Sequence, residues 1–213
     1  MTRHRPKEFA ERDLMSESTF PTITWSSMNA FLEYDKEKWY RNYVLGQRDE
    51  PNNAMRIGIE VGERIVSDPT FIPTLERPEI FEHNLKANLE HVPIRGHLDG
   101  SYPNLPGIDE YKTSTNKDRW SQEKVDTWGQ ITFYCLLYYL NFKIPPEKLR
   151  LRLWSIPIAE HGDFSYTVGI PTVYTTKRTL SDILKFGVLI KQTHKEMSDF
   201  IHTRELQTLT QGV

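Results

Sequence analysis

Two carboxylates and a lysine within one short segment, RGHLDGSYPNLPGIDEYKTS, have residue types and a spacing that could support catalysis. Asp99 closes one predicted strand, a turn rich in Pro, Gly and Asn follows, and Glu110 and Lys112 alternate on the next strand. Residues two apart on a strand project from the same face. Pairing of the two strands would therefore bring Asp99 beside Glu110 and Lys112.

The charges of this group indicate which chemistry it could carry. Two carboxylates held together repel each other unless a cation lies between them, and hard oxygen ligands suit Mg²⁺ or Mn²⁺. Such a cation can polarise a phosphate and activate water, which Lys112 would hold or help to deprotonate. An ordinary surface hairpin with an ion pair has the same spacing. The spacing alone therefore does not decide between the two interpretations.

A second polar pair, Gln130 and Tyr134, lies downstream on a predicted helix that is dense in apolar and aromatic residues. Residues spaced i, i+4 are neighbours on one helix face. The pair would thus present an amide and a phenol together, shortly after the strand that carries Glu110 and Lys112. A Gln near a Tyr is common, so this pair is informative only in combination with the hairpin.

Hydrophobic periodicity and the positions of Gly and Pro predict the elements that position these residues. The predicted helices run from Thr24 or Ser26 to Gly46, from Asn52 or Asn53 to the residue before Asp68, from Gln122 to Leu140, and from about Lys177 to Arg204. Strands are predicted for VPIRGHLDG, GIDEYKTS, LRLRLWSIPI and DFSYTVGIPTVYT, whereas residues 79–90 fit either a helix or a strand. The chain shows no internal repeat or linker, so we expect a flexible arm (residues 1–20) followed by a single α/β domain (residues 21–213).

The composition indicates a globular protein. The chain of 213 residues is too apolar, at 38% hydrophobic, for a disordered chain, and no stretch reaches the roughly 20 apolar residues of a membrane span. Its one cysteine, Cys135, can form no intrachain disulfide and no Cys-rich metal site, and we expect it in the core. The N-terminus lacks the apolar run of a signal peptide, so we expect a cytoplasmic protein that does not interact with membranes.

The net charge of −2 argues against nucleic-acid binding through global positive charge. The charge is unevenly distributed, because residues 51–140 carry 13 acidic and 9 basic residues while residues 141–213 carry 7 acidic and 10 basic ones. A carboxylate-rich central third could hold cations, and a mildly basic remainder could contact phosphates.

Several segments in this order resemble the PD-(D/E)xK nuclease superfamily. They are ITWSSMNAFLEYDKEKWY, the Gly-rich helix RIGIEVGE, RGHLDG, IDEYKTS and Gln130-x-x-x-Tyr134. Within the superfamily the chain is most similar to the RecB-like branch, which includes phage recombination exonucleases and CRISPR-associated exonucleases. The resemblance spans residues 22–140, about half the chain. It implies a restriction-endonuclease-like α/β core, in which a mixed central sheet with an antiparallel meander is flanked by helices and the long Gln/Tyr helix packs across it.

The resemblance also assigns roles to residues. It makes Asp99 and Glu110 metal ligands together with the main-chain carbonyl of Tyr111, and Lys112 the catalytic lysine. Gln130 and Tyr134 match the signature helix, where they support the site and approach the DNA. The metal would be Mg²⁺ or Mn²⁺. An iron-sulfur cluster is not expected, because the members of the branch that carry one use four cysteines.

The Gly-rich helix departs from the family pattern. Four residues after Gly58, where a His is expected, the chain has Gly62, with Glu60 and Glu63 nearby. Glu60 borders the apolar stripe of the helix, whereas Glu63 points almost directly away from it, so Glu60 is the preferred ligand. This departure leaves a second metal ion open.

The function that the resemblance implies is a Mg²⁺-dependent DNA exonuclease of recombination or repair. A structure-specific or restriction-like endonuclease of the same fold, and an inert nucleic-acid-binding module, remain alternatives. Processive action would need a homo-oligomer or a helicase or recombinase partner. Residues just after the hairpin are predicted to contact nucleic acid, with one aromatic ring stacking on an unpaired base: Lys117, Arg119, Trp120 and Lys124.

Overall fold

The computed structural model describes residues 22–161 and 165–211. The predicted arm, residues 1–20, lies outside these ranges, as do two residues of the predicted strand connection, Gly162 and Asp163. The helices are α1 (Trp25–Glu33), α2 (Lys36–Trp39), α3 (Asn53–Ser67), α4 (Gln122–Thr127), α5 (Gly129–Phe142) and α6 (Leu180–Gln211). The strands are β1 (Ile80–Leu89), β2 (Val92–Tyr102), β3 (Gly107–Ser114), β4 (Arg150–Glu160), β5 (Tyr166–Val168) and β6 (Thr172–Thr176). No helix in the described ranges is both long enough and apolar enough to cross a membrane.

The strands form one mixed sheet. β1, β2 and β3 are successive antiparallel neighbours, β3 pairs with β4 in parallel, and β5 and β6 both pair antiparallel with β4. The parallel β3–β4 pair requires a crossover, which α4 and α5 provide. The predicted mixed sheet with an antiparallel meander and flanking helices is therefore confirmed.

The ambiguous segment at residues 79–90 is a strand. Nine of the ten residues of β1 pair with β2, from Ile80 opposite Ser101 to Leu89 opposite Val92. The connecting residues Glu90 and His91 both have positive φ, at 47° and 75°, as a two-residue hairpin turn requires. Backbone pairing with β2 thus decided between two patterns that the sequence left open.

The helix predicted from Thr24 to Gly46 is interrupted. Thr24 caps α1, accepting a hydrogen bond from the Ser27 N–H at 3.1 Å, but α1 ends at Glu33. Asp35 then caps α2 by accepting from the Glu37 N–H at 2.9 Å, and a π-helical turn over Tyr40–Val44 follows. A cap residue has extended backbone dihedrals, so Asp35 ends one helix where it starts the next.

The second long helix, predicted from Gln122 to Leu140, is also divided. Trp128 is extended, with ψ of 119°, and separates α4 from α5. The Trp25 ring lies against Gly129, where a Cβ atom would come within 2.6 Å of it. The nine residues Gln130–Tyr138 are all buried, including the single cysteine, Cys135.

Two hydrophobic clusters cover the two faces of the sheet. The larger one joins the sheet to α1, α5 and α6, through residues such as Leu137 and Ile190. The smaller one joins it to α3, through Ile57 and Val61. Leu153 belongs to the first cluster and Trp154 to the second, as expected for consecutive residues of a strand. β3, next to β4, therefore presents one face toward α5 and the other toward α3.

Candidate functional site

The predicted catalytic residues lie where strands β2 and β3 part. Their backbone ladder runs from Tyr102–Gly107 to Gly100–Asp109 and ends there. Beyond it the carboxylate of Asp99 accepts the Tyr111 N–H, with Oδ2 at 2.7 Å. The Asp99 side chain thus accepts the hydrogen bond of a β3 amide where the backbone ladder has ended. This contact holds Asp99 at the edge of β3.

Glu110 and Lys112 project together from β3, as their spacing predicts. Lys112 Nζ lies 2.6 Å from Glu110 Oε1. The Glu110 side chain is 1% exposed and that of Lys112 32%. The lysine therefore connects a fully buried carboxylate with the protein surface.

Helix α5 holds Glu110 from the other side. Gln130 Nε2 donates a hydrogen bond to Glu110 Oε1 at 2.7 Å, and lies 2.7 Å from the hydroxyl oxygen of Tyr134, one turn further along the helix. An amide nitrogen has two hydrogens, so one side chain can satisfy both acceptors. The structure thus brings Gln130 and Tyr134 to the hairpin, and both are buried.

Burial and mutual repulsion change the ionisation of this cluster. Burial first, and the Asp99 carboxylate second, raise the pKa of Glu110 to about 8, against the effect of Lys112. Burial also raises the pKa of Asp99. Burial opposes the charged form of Lys112, but Glu110 and Asp99 outweigh it and raise the pKa of the lysine. The second oxygen of Glu110, Oε2, is buried and has no hydrogen-bond partner among the described residues. A cation would provide the missing partner.

A third carboxylate, Glu82, lies near this pair and was missed by the sequence reasoning. The pairs Phe81–Gly100 and His83–Leu98 put Glu82 opposite Asp99, at a gap in the ladder. Glu82 has φ of 50°, unusual for a strand residue. Desolvation by neighbouring atoms, first, and the Asp99 carboxylate, second, raise the pKa of Glu82, although the residue as a whole remains exposed. The register reveals this neighbour only once residues 79–90 are known to be a strand.

The structure does not bring Glu60 to the carboxylate pair. Its Oε1 accepts a hydrogen bond from the Tyr166 hydroxyl of β5 at 2.8 Å. A Cβ atom at Gly62, where the family pattern expects a His, would meet no atom within 4 Å. Throughout residues 22–161 and 165–211, no three His, Cys, Asp or Glu side chains already form a group that could hold a metal ion. The carboxylates of Asp99 and Glu110, the second with an unpartnered oxygen, fit a divalent cation, and a third side-chain ligand would have to move toward them.

The predicted nucleic-acid contacts lie beside the cluster. Arg119, Trp120 and Lys124 line an open cleft of about 500 Å³, together with Trp25 and Trp128. Lys117 is exposed on the loop before α4 and is not among the residues that line the cleft.

A charged network on the α3 face of β3 was not foreseen. Arg152 of β4 donates two hydrogen bonds to the buried carboxylate of Asp109, at 2.8 and 2.7 Å, and a third to Glu76 at 2.6 Å. The Tyr102 hydroxyl and the Trp154 indole N–H also donate to Asp109. Because Asp109 precedes Glu110 on β3, this network fixes the strand directly behind the carboxylate pair.

The fold occurs in solved nuclease structures. A protein of Eubacterium rectale, whose exonuclease assignment is itself provisional, has a TM-score of 0.55 and 14% identity over 83% of this chain and 80% of its own. The alkaline exonuclease of Laribacter hongkongensis has a TM-score of 0.51 and 16% identity over 89% of this chain and 94% of its own. No protein-family profile and no curated protein sequence matches the chain. The chain therefore shares the fold of these two solved structures, with the mixed sheet and flanking helices that its sequence predicts.

Proposed function

We propose that this protein is a metal-dependent nuclease that hydrolyses phosphodiester bonds of DNA from an end. The observation that carries the proposal is the buried Glu110 carboxylate, which has an unpartnered oxygen, lies beside Asp99 and is bonded to Lys112. A structural ion pair needs no second carboxylate and leaves no orphan oxygen. Exonuclease neighbours with the same fold support the reaction class.

Each side chain has a defined task in this proposal. Asp99 and Glu110, with the Tyr111 carbonyl, would hold Mg²⁺ or Mn²⁺, which polarises the phosphate and acidifies water. Lys112 keeps its proton, since its pKa is raised, and its ammonium group would counter negative charge that develops on the phosphate. Gln130 fixes the orientation of Glu110 through Oε1, so that Oε2 stays free to act as a ligand.

The proposal is tested by digestion of end-labelled DNA. We expect hydrolysis with Mg²⁺ or Mn²⁺, none with EDTA, and little cleavage of a covalently closed circle. Cleavage of the circle would favour the endonuclease alternative. A protein that binds DNA but cleaves neither substrate with either ion would be the inert module, and faster cleavage of RNA would change the substrate class.

Metal binding should be linked to protons, because Glu110 must lose its proton to bind a cation. Its pKa is about 8 in the metal-free protein, against 4.5 for an ordinary Glu. We expect the apparent Mn²⁺ affinity to rise by up to about tenfold per pH unit below pH 8 and to level off above it. Calorimetry at pH 6.5 in two buffers of different ionisation enthalpy should detect close to one released proton.

The raised pKa of Glu110 also makes the stability of the protein depend on pH. A carboxyl group whose pKa is higher in the folded state contributes stability below its unfolded pKa, and this contribution is lost as pH rises through the folded value. Metal-free protein should therefore lose stability between about pH 4.5 and about pH 8. Glu110→Gln should weaken this pH dependence of the urea midpoint. An unchanged pH profile in the variant would show that Glu110 is not the titrating group.

Glu82 is proposed as the third carboxylate, in place of Glu60. Glu82 is exposed, so its side chain can turn toward Asp99, which lies opposite it on β2. We expect Glu82→Gln to raise the Mg²⁺ concentration for half-maximal activity by about 10- to 100-fold. The matched control is Glu90→Gln, at the turn of the same hairpin. A loss in Glu60→Gln with none in Glu82→Gln would instead assign the role to Glu60.

A further inference from the structure

The open cleft beside the site has the composition of a nucleotide-binding surface. It lies between the start of α1, the loop after β3 and the α4–α5 junction. Its volume of about 500 Å³ is within the range of roughly 300–1,000 Å³ that ligand pockets occupy. Three tryptophans, Trp25, Trp120 and Trp128, line it, and each remains partly exposed.

The indole rings leave aromatic surface open to a ligand. Trp120 and Trp128 pack edge-on, with ring centroids 4.7 Å apart and planes inclined by 60°, so they do not stack on each other. Partly exposed, flat aromatic surface suits a planar heterocycle.

The cleft also carries available positive charge. No carboxylate of the described chain bonds the Arg119 guanidinium, while Lys124 Nζ donates to the Arg119 carbonyl at 3.0 Å and has further hydrogens to donate. Glu33 is the acidic residue of the lining. Two cations and one carboxylate leave the cleft net positive, as contact with a phosphate requires.

The cleft opens next to the proposed catalytic lysine. Lys112 Nζ lies 5.3 Å from the centroid of the Trp128 ring. Arg119 is close enough to oppose the rise in the pKa of Lys112. A phosphate held at Lys112 would therefore have its adjoining nucleotide within reach of the tryptophans.

From these contacts we infer that the cleft binds one unpaired base of the strand that is cut, with Arg119 and Lys124 on its flanking phosphates. The inference rests on the proposed function. Stacking on aromatic side chains tolerates every base and contributes a factor of about 5 to 150 in affinity per base. The paired bases of a duplex already stack on each other, so the preferred substrate has a single-stranded or frayed end.

Binding in EDTA tests this inference separately from cleavage. Fluorescence anisotropy would measure the affinity of the protein for a labelled 12-nucleotide single strand, a tailed duplex and a blunt duplex. We expect the single strand and the tailed duplex to bind more tightly than the blunt duplex. An abasic site, moved along the strand, should weaken wild-type binding at one position by about 5- to 150-fold. In Trp120→Ala that position should no longer differ from its neighbours, because the stacking partner is gone.

Several variants make the result decisive. Trp120→Phe should restore the abasic effect, which a merely structural role of the indole would not predict. Arg119→Ala should weaken the binding of every strand but keep the abasic effect. Tyr34→Ala and Lys195→Ala, an exposed aromatic residue and an exposed lysine outside the cleft lining, are the controls. Equal abasic profiles in wild type and Trp120→Ala, or no quenching of tryptophan fluorescence by the single strand, would overturn the inference. If the abasic effect depends on Trp120 in EDTA but the protein does not hydrolyse DNA in Mg²⁺, the proposed nuclease function would be overturned and the binding inference would stand.

Discussion

Replacing Lys112 with methionine is expected to slow DNA hydrolysis by about 10²- to 10³-fold while the protein still folds. The ammonium group lies 2.6 Å from Glu110 Oε1 and is the positive charge that the cluster presents toward the surface. Loss of the lysine does not leave an uncompensated buried charge, because Glu110 has a pKa of about 8 and takes up a proton. Methionine replaces the aliphatic part of the lysine side chain and omits the ammonium group. Single-turnover rates at saturating Mg²⁺ measure the effect.

Metal affinity separates a catalytic role of Lys112 from a structural one. The ammonium group bonds Glu110 Oε1 and would repel a cation bound at Oε2, so Lys112→Met should bind Mn²⁺ as tightly as the wild type, or more tightly. Asp99→Asn should lower both the rate of DNA hydrolysis and the affinity for Mn²⁺. Lys148→Met, an exposed lysine before β4, serves as the control. A Lys112→Met protein with half the wild-type rate or more would show that the lysine does not act on the reaction.

Local signals predicted the elements on which the site is built. The strand GIDEYKTS coincides with β3, and Asn52 caps α3 by accepting from the Met55 N–H at 2.9 Å. The i, i+4 spacing of Gln130 and Tyr134 was enough to predict that they lie together near the site, because their helix crosses the sheet face from which Glu110 projects. Such features depend on residues a few positions apart, which a single sequence contains.

The third carboxylate could not be predicted, because it depends on contacts between distant segments. A helix face can be derived from periodicity, and Glu60 does border the apolar stripe of α3. Periodicity does not say which strand that border meets, and here it meets Tyr166 of β5. Glu82 is a neighbour of Asp99 through the β1–β2 register, which exists only after residues 79–90 pair as a strand. The helix breaks at Asp35 and Trp128 likewise depend on capping and on tertiary packing against Gly129.

The buried pair of Asp109 and Arg152 gives the largest expected effect on stability. Arg152→Met removes two hydrogen bonds from a carboxylate that is completely buried and leaves it the donors of Tyr102 and Trp154. Removing one partner of a buried ion pair costs about 3–5 kcal/mol, because the remaining charge is uncompensated. Urea unfolding of Arg152→Met should show a loss of this size.

A double variant tests whether the uncompensated charge is the cause. Asp109→Asn combined with Arg152→Met removes both charges, so the loss should be smaller than the sum of the single losses. Arg150→Met is the matched control, since Arg150 bonds the half-exposed Glu76 and should contribute about 1 kcal/mol or less. A loss in Arg152→Met no larger than in the control would refute the argument. Since Asp109 immediately precedes Glu110, Arg152→Met should also weaken Mn²⁺ binding under conditions where the protein is still folded, which Arg150→Met should not.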